Sequence, residues 1–204
     1  MPTWGDIAMS ANDVTFRPAT RADMHVIAAL FRISTEGVAD YVWSTLKGPE
    51  YEGLDLLDIG ALRYSREGVD FSYQNCDIAE IDGEPVGMLH AYPMGEDVGH
   101  VDDDIDPILR PYAELEEPKS LYISGLALFD DYRGSGVGTR LLDFAYKRTR
   151  AEGLKKISLI CFEDNQGAYR LYKREGFKDM ARRAVVPHPM IHHEGDAVLM
   201  VREN

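Results

Sequence analysis

The stretch Asp130-Asp131-Tyr132-Arg133-Gly134-Ser135-Gly136-Val137-Gly138-Thr139-Arg140 constrains this chain more than any other. It follows a mostly apolar run, 121–129, that reads as a buried strand. It leads into a helical pattern over about 136–151 whose apolar stripe is Val137, Leu141, Leu142 and Ala145. Three alternate glycines permit a tight turn and let an anion approach the backbone without meeting a Cβ. Consecutive N–H groups, aided by the helix N-terminus, then point at that anion. Arg133 and Arg140 supply local positive charge in a chain of net charge −13. A glycine-rich turn that binds nothing fits the same pattern, so the glycines alone leave both readings open. Two other phosphate motifs do not fit. A P-loop ends in Gly-Lys-Ser/Thr, which is missing, and the dinucleotide fingerprint G-x-G-x-x-G meets Thr139 where its third glycine belongs. The turn also lies late in the chain rather than opening a βαβαβ half.

The remaining segments supply one α/β domain over 14–204, preceded by a flexible tail, 1–13, that carries Pro2, Gly5, Ser10 and Asn12. A short strand at 14–17 precedes a helix capped by Thr20, with Asp23 three residues on and an apolar face of Met24, Ile27, Ala28 and Phe31. A less regular stretch at 38–46 holds Tyr41 and Trp43, and a further helix is expected over about 53–66. Strands at 71–81 and 85–93 are joined by Asp82-Gly83, a hairpin signal. Residues 94–119 break the rhythm, with nine acids against Arg110 and Lys119, and read as an acidic surface insertion. After the glycine turn and its helix come a strand at 156–162 and a helix at 165–174 that Gly176 is placed to end. Strands near 177–186 and 197–201 flank a loop rich in Pro and His. The order β-α-α-α-β-β-β-α-β-α-β-β implies a mixed central sheet of about seven strands with helices on both faces.

Composition narrows the partners. A length of 204 residues at 45% hydrophobic content is enough for one sizeable core. The acidic balance argues against nucleic acid and anionic membrane surfaces, both polyanions. No run approaches about 20 apolar residues, and 1–14 lacks the basic and apolar regions of a secretory signal. A soluble, cytoplasmic protein is expected. Cys76 and Cys161 sit in strand-like segments and read as buried thiols, which suits a reducing compartment.

Two motifs carry a resemblance. Arg133-Gly134-Ser135-Gly136-Val137-Gly138 matches R/Q-x-x-G-x-G/A, and Asn165-Gln166-Gly167-Ala168-Tyr169-Arg170-Leu171-Tyr172-Lys173-Arg174-Glu175-Gly176-Phe177 matches N-x-x-A-x-x-L-Y-x-x-x-G-F. In this order, with a helix and a strand between them, they resemble the GNAT N-acetyltransferase superfamily. The likeness is tight over about 120–180 and general in element order elsewhere.

The resemblance implies the GNAT fold, with a V-shaped splay between the fourth and fifth strands. Acetyl-CoA would be the co-substrate, its pantetheine bonding the backbone near Leu126, Ala127 and Leu128. The pyrophosphate would rest on Arg133, Gly134, Ser135, Gly136, Val137, Gly138 and Thr139. Asn165 would contact the cofactor near its reactive end, although a helix cap is an equally good role and both can hold together. Tyr172, seven positions on, faces the same side. Its phenol, with a reference pKa of about 10, would donate a proton to the departing thiolate. Tyr169 is the nearest rival and reads as a packing or site-lining residue. Direct attack of a primary amine on the thioester is implied. An acyl-enzyme on Cys161 lacks an activating His.

The acceptor side is less defined. Tyr122 and Ser124 lie on the strand before the glycine turn. Glu36, Glu80, Asp82 and Glu163 are base candidates, none preferred by spacing. Phe31, Tyr41 and Trp43 either line the acceptor wall or fill the core. His188, His192 and His193 match no zinc spacing, so no metal is expected, and His188 would line the acceptor site or an exposed loop. The acidic insertion favours a cationic acceptor such as a polyamine, an amino sugar or a lysine-bearing peptide, or simply solvates the surface. A homodimer is the family tendency. A non-catalytic CoA-binding sensor or interaction module is the alternative, against which Asn165 and Tyr172 weigh, because a binder needs no proton donor.

Overall fold

One sheet takes its seven strands in the order β1-β2-β3-β4-β5-β7-β6. The computed structural model describes residues 14–96 and 101–204, so the expected tail 1–13 lies outside the described residues. The elements are β1 (Val14–Pro18), α1 (Met24–Thr35), α2 (Val38–Thr45), α3 (Leu56–Tyr64), β2 (Cys76–Ile81), β3 (Glu84–Pro93), a short α4 (Arg110–Ala113), β4 (Ser120–Leu128), α5 (Val137–Ala151), β5 (Lys156–Phe162), α6 (Gln166–Arg174), β6 (Lys178–Ala184) and β7 (Asp196–Glu203). Only β4 and β5 pair in parallel. Helix α5 is the crossover between them.

Local chemistry explains most boundaries. Asp82 and Gly83 both take positive φ, 52° and 83°, as the tight β2–β3 turn requires. The Thr20 N–H and hydroxyl both donate to Asp23, at 2.7 and 2.9 Å, which starts the turn into α1. Two expectations need correction. The stretch 38–46 is not irregular, because α2 is a regular helix. Its apolar face was hidden by Asp40, which is buried and paired with Arg32 at 2.9 Å. The strand expected from 71 begins only at Cys76, because Ser72 caps a 3-10 turn over Tyr73–Asn75 and its hydroxyl donates to Arg66 O at 2.6 Å.

Strand alternation sends neighbouring residues to opposite faces. Ile78, Met88 and Ala127 pack under α1–α3 with Ile27, Phe31, Trp43 and Tyr64. Ala79, Leu89 and Leu128 pack under α5 with Val137, Leu141, Leu142 and Ala145. Trp43 reaches its place because residue 60 is glycine: a Cβ there would sit 2.7 Å from the indole. The insertion is more than a surface excursion. Its ends are tied by Met94 N–H to Ser120 O (2.8 Å) and Lys119 N–H to Gly95 O (3.2 Å). Leu115 is fully buried against Phe162, Leu199 and Val201, and Glu114 pairs with Arg183 of β6 at 2.6 Å.

The feature that positions a site is an interrupted ladder. Strands β4 and β5 pair over only four rungs, from Ser120↔Lys156 to Ile123↔Leu159. The next residue, Ser124, is a bulge against β3, since Ile123 faces Ala91 and Gly125 faces His90. A bulge bends its strand and raises the local twist, and from that point β4 and β5 diverge. Residues 124–128 of β4 and 160–162 of β5 therefore form the two lips of a V-shaped opening.

Candidate active site

Backbone polarity on the β4 lip follows from one hydrogen bond. Phe129 N–H donates to Val86 O of β3 at 3.0 Å. Successive residues direct their N–H and C=O pairs to opposite sides. Gly125 and Ala127 therefore serve β3, whereas Leu126 and Leu128 present their N–H and C=O groups to the opening. Of the three backbone positions named from the sequence, the geometry turns two toward the cleft and Ala127 away from it.

The glycine turn closes one end. Gly134 and Gly136 hold φ of 72° and 88°, so their identity is set by backbone conformation. Gly138 is different: it lies in the first turn of α5 without positive φ, and a Cβ there would meet only Leu171 Cδ2 at 3.6 Å, an ordinary contact. Glycine at a helical position costs about 1 kcal/mol relative to alanine. The packing does not require this glycine, and its missing side chain leaves the start of α5 open. The first N–H groups of α5 have no helical acceptor, and they point out of that open end. Ser135 is fixed by its hydroxyl donating to Tyr132 O at 2.5 Å. Arg133 is exposed, 3.1 Å from Asp130. Arg140 instead braces β1, donating to Val14 O at 2.9 Å and lying over the Phe16 ring. Backbone donors with one exposed guanidinium beside them have the chemistry to take a diphosphate.

Helix α6 begins at the β5 lip. Asn165 caps it, its Oδ1 accepting from Ala168 N–H at 3.1 Å, while its Nδ2 donates to Glu36 Oε1 at 2.6 Å. Tyr172 is 7% exposed and meets Phe177 edge-on, with ring centroids 5.6 Å apart. Burial pushes its phenol pKa up, with a further contribution from the Cys161 thiol, so the phenol stays protonated at neutral pH. Tyr169 is pinned elsewhere, its hydroxyl donating to Asp179 at 2.6 Å. Cys161 and Cys76 are buried free thiols. Burial pushes Cys161 up to about 12, which leaves no thiolate for an acyl-enzyme at neutral pH.

Opposite Asn165, the corner between α1 and α2 is locked to the loop before β7. Glu36 adopts φ 48° and Gly37 φ 98°. Glu36 O accepts from His192 N–H at 2.8 Å, and a Cβ on Gly37 would overlap the Met190 carbonyl. His193 stacks on Phe162, with centroids 3.4 Å apart, and its Nε2 lies 3.1 Å from the Tyr112 hydroxyl. Its Nδ1 is buried without a hydrogen-bond partner among the described residues, 4.0 Å from Glu36 Oε2. Desolvation lowers the His193 pKa to about 4, so the ring is neutral at pH 7. Beyond it the loop borders a cavity of about 500 Å³ walled by His188, His193 and Glu194. Gly37→Ala is expected to cost more than about 2 kcal/mol, because left-handed strain of about 1–2 kcal/mol adds to the overlap. A thermal melt checks this, and an unchanged Tm would mean the corner is not locked.

Residues 40–177 match the Acetyltransferase (GNAT) family. The chain belongs to that family. Among curated relatives, YycN of Bacillus subtilis (strain 168), named as an uncharacterized N-acetyltransferase, is 35% identical over 77 residues, 37% of this chain and 49% of that protein. An N-acetyltransferase of Methanocaldococcus jannaschii is 31% identical over 102 residues, 50% of this chain and 38% of that protein. The chain thus spans about half or less of the length of these relatives. A GNAT acetyltransferase from Elizabethkingia anophelis, solved with acetyl-CoA bound, superposes with a TM-score of 0.58 over 95% of this chain and 99% of that one. At 16% identity that likeness is one of fold.

In this GNAT chain the residues that the sequence offered for an acceptor site separate. Phe31 is 1% exposed, stacked on Tyr64 with centroids 4.4 Å apart, and Trp43 is likewise buried, so both are core residues. Ser124 sits at the bulge with its Oγ 2.6 Å from His90 Nδ1. Tyr122, two positions before it, packs edge-on against Tyr92. Tyr41 donates to Asp106 Oδ2 at 2.6 Å and meets the His188 ring edge-on, which joins α2, the insertion and the loop before β7. Tyr112 and its pairing with His193 escaped sequence reasoning, because nothing local marks a tyrosine in an acidic insertion as the partner of a histidine 81 positions later.

Proposed function

We propose that this chain transfers an acetyl group from acetyl-CoA to a primary amine by direct attack on the thioester. The observation that carries the reading is the β4–β5 opening, with Leu126 and Leu128 backbone groups on one lip, the glycine cradle at one end and Tyr172 on the helix that leaves the other lip. In this reading Gly134–Gly138 and Arg133 hold the pyrophosphate. Leu126 and Leu128 hold the pantetheine amides, and a strand N–H stabilises the developing oxyanion. Tyr172, kept protonated by its burial, donates to the leaving thiolate. Asn165 both caps α6 and fixes the end of the opening. The acceptor side combines Tyr41, His188 and the acidic groups around them, which favours a cationic amine.

Titration with acetyl-CoA, NAD and ATP, followed by thiol release over spermidine, glucosamine and a lysine-containing peptide, tests the proposal. Binding of acetyl-CoA alone, with thiol release dependent on one of the amines, is the expected result. Tight acetyl-CoA binding without thiol release from any amine would favour a sensor.

A further inference from the structure

We infer that Glu36 is the group that receives the acceptor's ammonium and takes its proton, an assignment that rests on the acetyl-transfer reading above. Among the four carboxylates that sequence leaves as base candidates, the other three are accounted for. Glu80 is paired with Arg17 at 2.7 Å, and Glu163 with Arg182 at 2.7 Å. Asp82 forms the exposed β2–β3 turn. Glu36 alone is joined to Asn165, the residue that opens α6 at the cleft.

Its geometry suits the task. The Asn165 amide fixes Oε1 at 2.6 Å. The nearest cationic candidate to Oε2 is His193 Nδ1 at 4.0 Å, beyond hydrogen-bond reach. That oxygen keeps its lone pairs for an incoming donor. The residue itself is held in a left-handed conformation, φ 48°, which costs an ordinary side chain about 1–2 kcal/mol. Such strain persists where surrounding structure enforces it, here through the His192 N–H bond to Glu36 O and the packing of Gly37 on Met190. The same carboxylate is half-buried. Desolvation raises its pKa, Asp164 raises it further, and Asn165, Arg133 and His192 act the other way. Because His193 is neutral, the Oε2 side of the carboxylate has no ion-pair partner within reach, and a primary ammonium can take that place. An amine that is already neutral, or a hydroxyl acceptor, gains nothing from it.

The proton balance closes. The ammonium gives one proton to Glu36 Oε2, and the free amine nitrogen forms its bond to the thioester carbonyl carbon. The C–S bond then breaks, and the thiolate takes the Tyr172 proton. The proton still carried by the new amide nitrogen restores the Tyr172 phenol through solvent, and Glu36 releases its own proton to solvent. One proton leaves per turnover.

The test compares the wild type with Glu36→Gln, which can still accept the Asn165 hydrogen bond. The acceptors are the better of spermidine and the lysine peptide, whose ammonium groups stay protonated to about pH 9, and the weakly basic amine methoxyamine. At pH 7 the Gln variant should lose about 10²–10⁴-fold in kcat/KM with the strongly basic acceptor. The loss should shrink toward pH 9, where free amine becomes available, and acetyl-CoA affinity should stay unchanged. Methoxyamine, neutral at pH 7, should react within about threefold of wild type. Should the variant melt early, the wild type alone decides. With Glu36 as base its kcat/KM for the strong base is flat from pH 7 to 9, whereas without a base it climbs about tenfold per unit. A Gln variant within about threefold of wild type at pH 7, or that climbing profile, overturns the Glu36 assignment and leaves acetyl transfer standing. No thiol release from wild type with any amine overturns both.

Discussion

Gly138→Asp is expected to abolish acetyl-CoA binding while the protein melts at the same temperature or a few degrees higher. The two effects have separate origins. Replacing glycine by aspartate within a helix recovers about 0.3 kcal/mol, and a carboxylate in the first turn adds about 0.3–1 kcal/mol through the helix dipole. Among the described residues outside its own helix backbone, the atom a new Cβ approaches is Leu171 Cδ2, at an ordinary 3.6 Å. From outside, the same carboxylate meets the diphosphate and fills the space its oxygens need. A loss of at least about 100-fold, or ~2.7 kcal/mol, should appear in a calorimetric titration. Gly136 is the poorer choice, since at φ 88° any side chain strains the backbone as well. Unchanged affinity in the Gly138 variant would reduce the turn to a structural element and remove the ground for placing the pyrophosphate there.

Tyr172→Phe should lower kcat and kcat/KM together by about 10²–10⁴-fold, with acetyl-CoA affinity nearly unchanged. The ring stays, so its edge-on contact with Phe177 stays too. Only the hydroxyl is lost. A purely structural tyrosine predicts the reverse, modest destabilisation with near-normal turnover per folded molecule. Steady-state kinetics on an identified amine, paired with a melt, separates the two. Near wild-type turnover with chemistry rate-limiting would take Tyr172 off the catalytic list.

Much of the fold was legible because its signals are local. The Asp82-Gly83 turn, the stripe Val137-Leu141-Leu142-Ala145 and the Asn165 cap each announce themselves within a few residues, and the order of elements followed from them. What escaped was whatever depends on distant partners. The stretch 38–46 looked irregular because the Arg32 that neutralises Asp40 lies in another helix. Ser72 looked like part of a strand because the Arg66 carbonyl it bonds lies beyond a turn. The insertion looked solvated because nine acids among its 26 residues dominate its composition, yet Leu115 is buried and anchors it. The site divides along the same line. The cradle and α6 are contiguous motifs, whereas Glu36 gains its place only when the α1–α2 corner, the α6 cap and the loop before β7 are brought together, segments separated by 129 positions in the case of Asn165.

The four-rung ladder between β4 and β5 also means that the sheet is built with a strand's worth of hydrogen bonding left undone. An extended molecule carrying amides can complete it, pairing with Leu126 and Leu128 as a neighbouring strand would. Occupancy then becomes part of the architecture. A ligand that binds only the folded chain adds RT ln(1 + [L]/Kd) to its stability, and here that increment would fall on the seam joining the β1–β4 half of the sheet to the β5–β7–β6 half. The two halves are stitched by few backbone bonds of their own, so a molecule filling the gap would double as the suture.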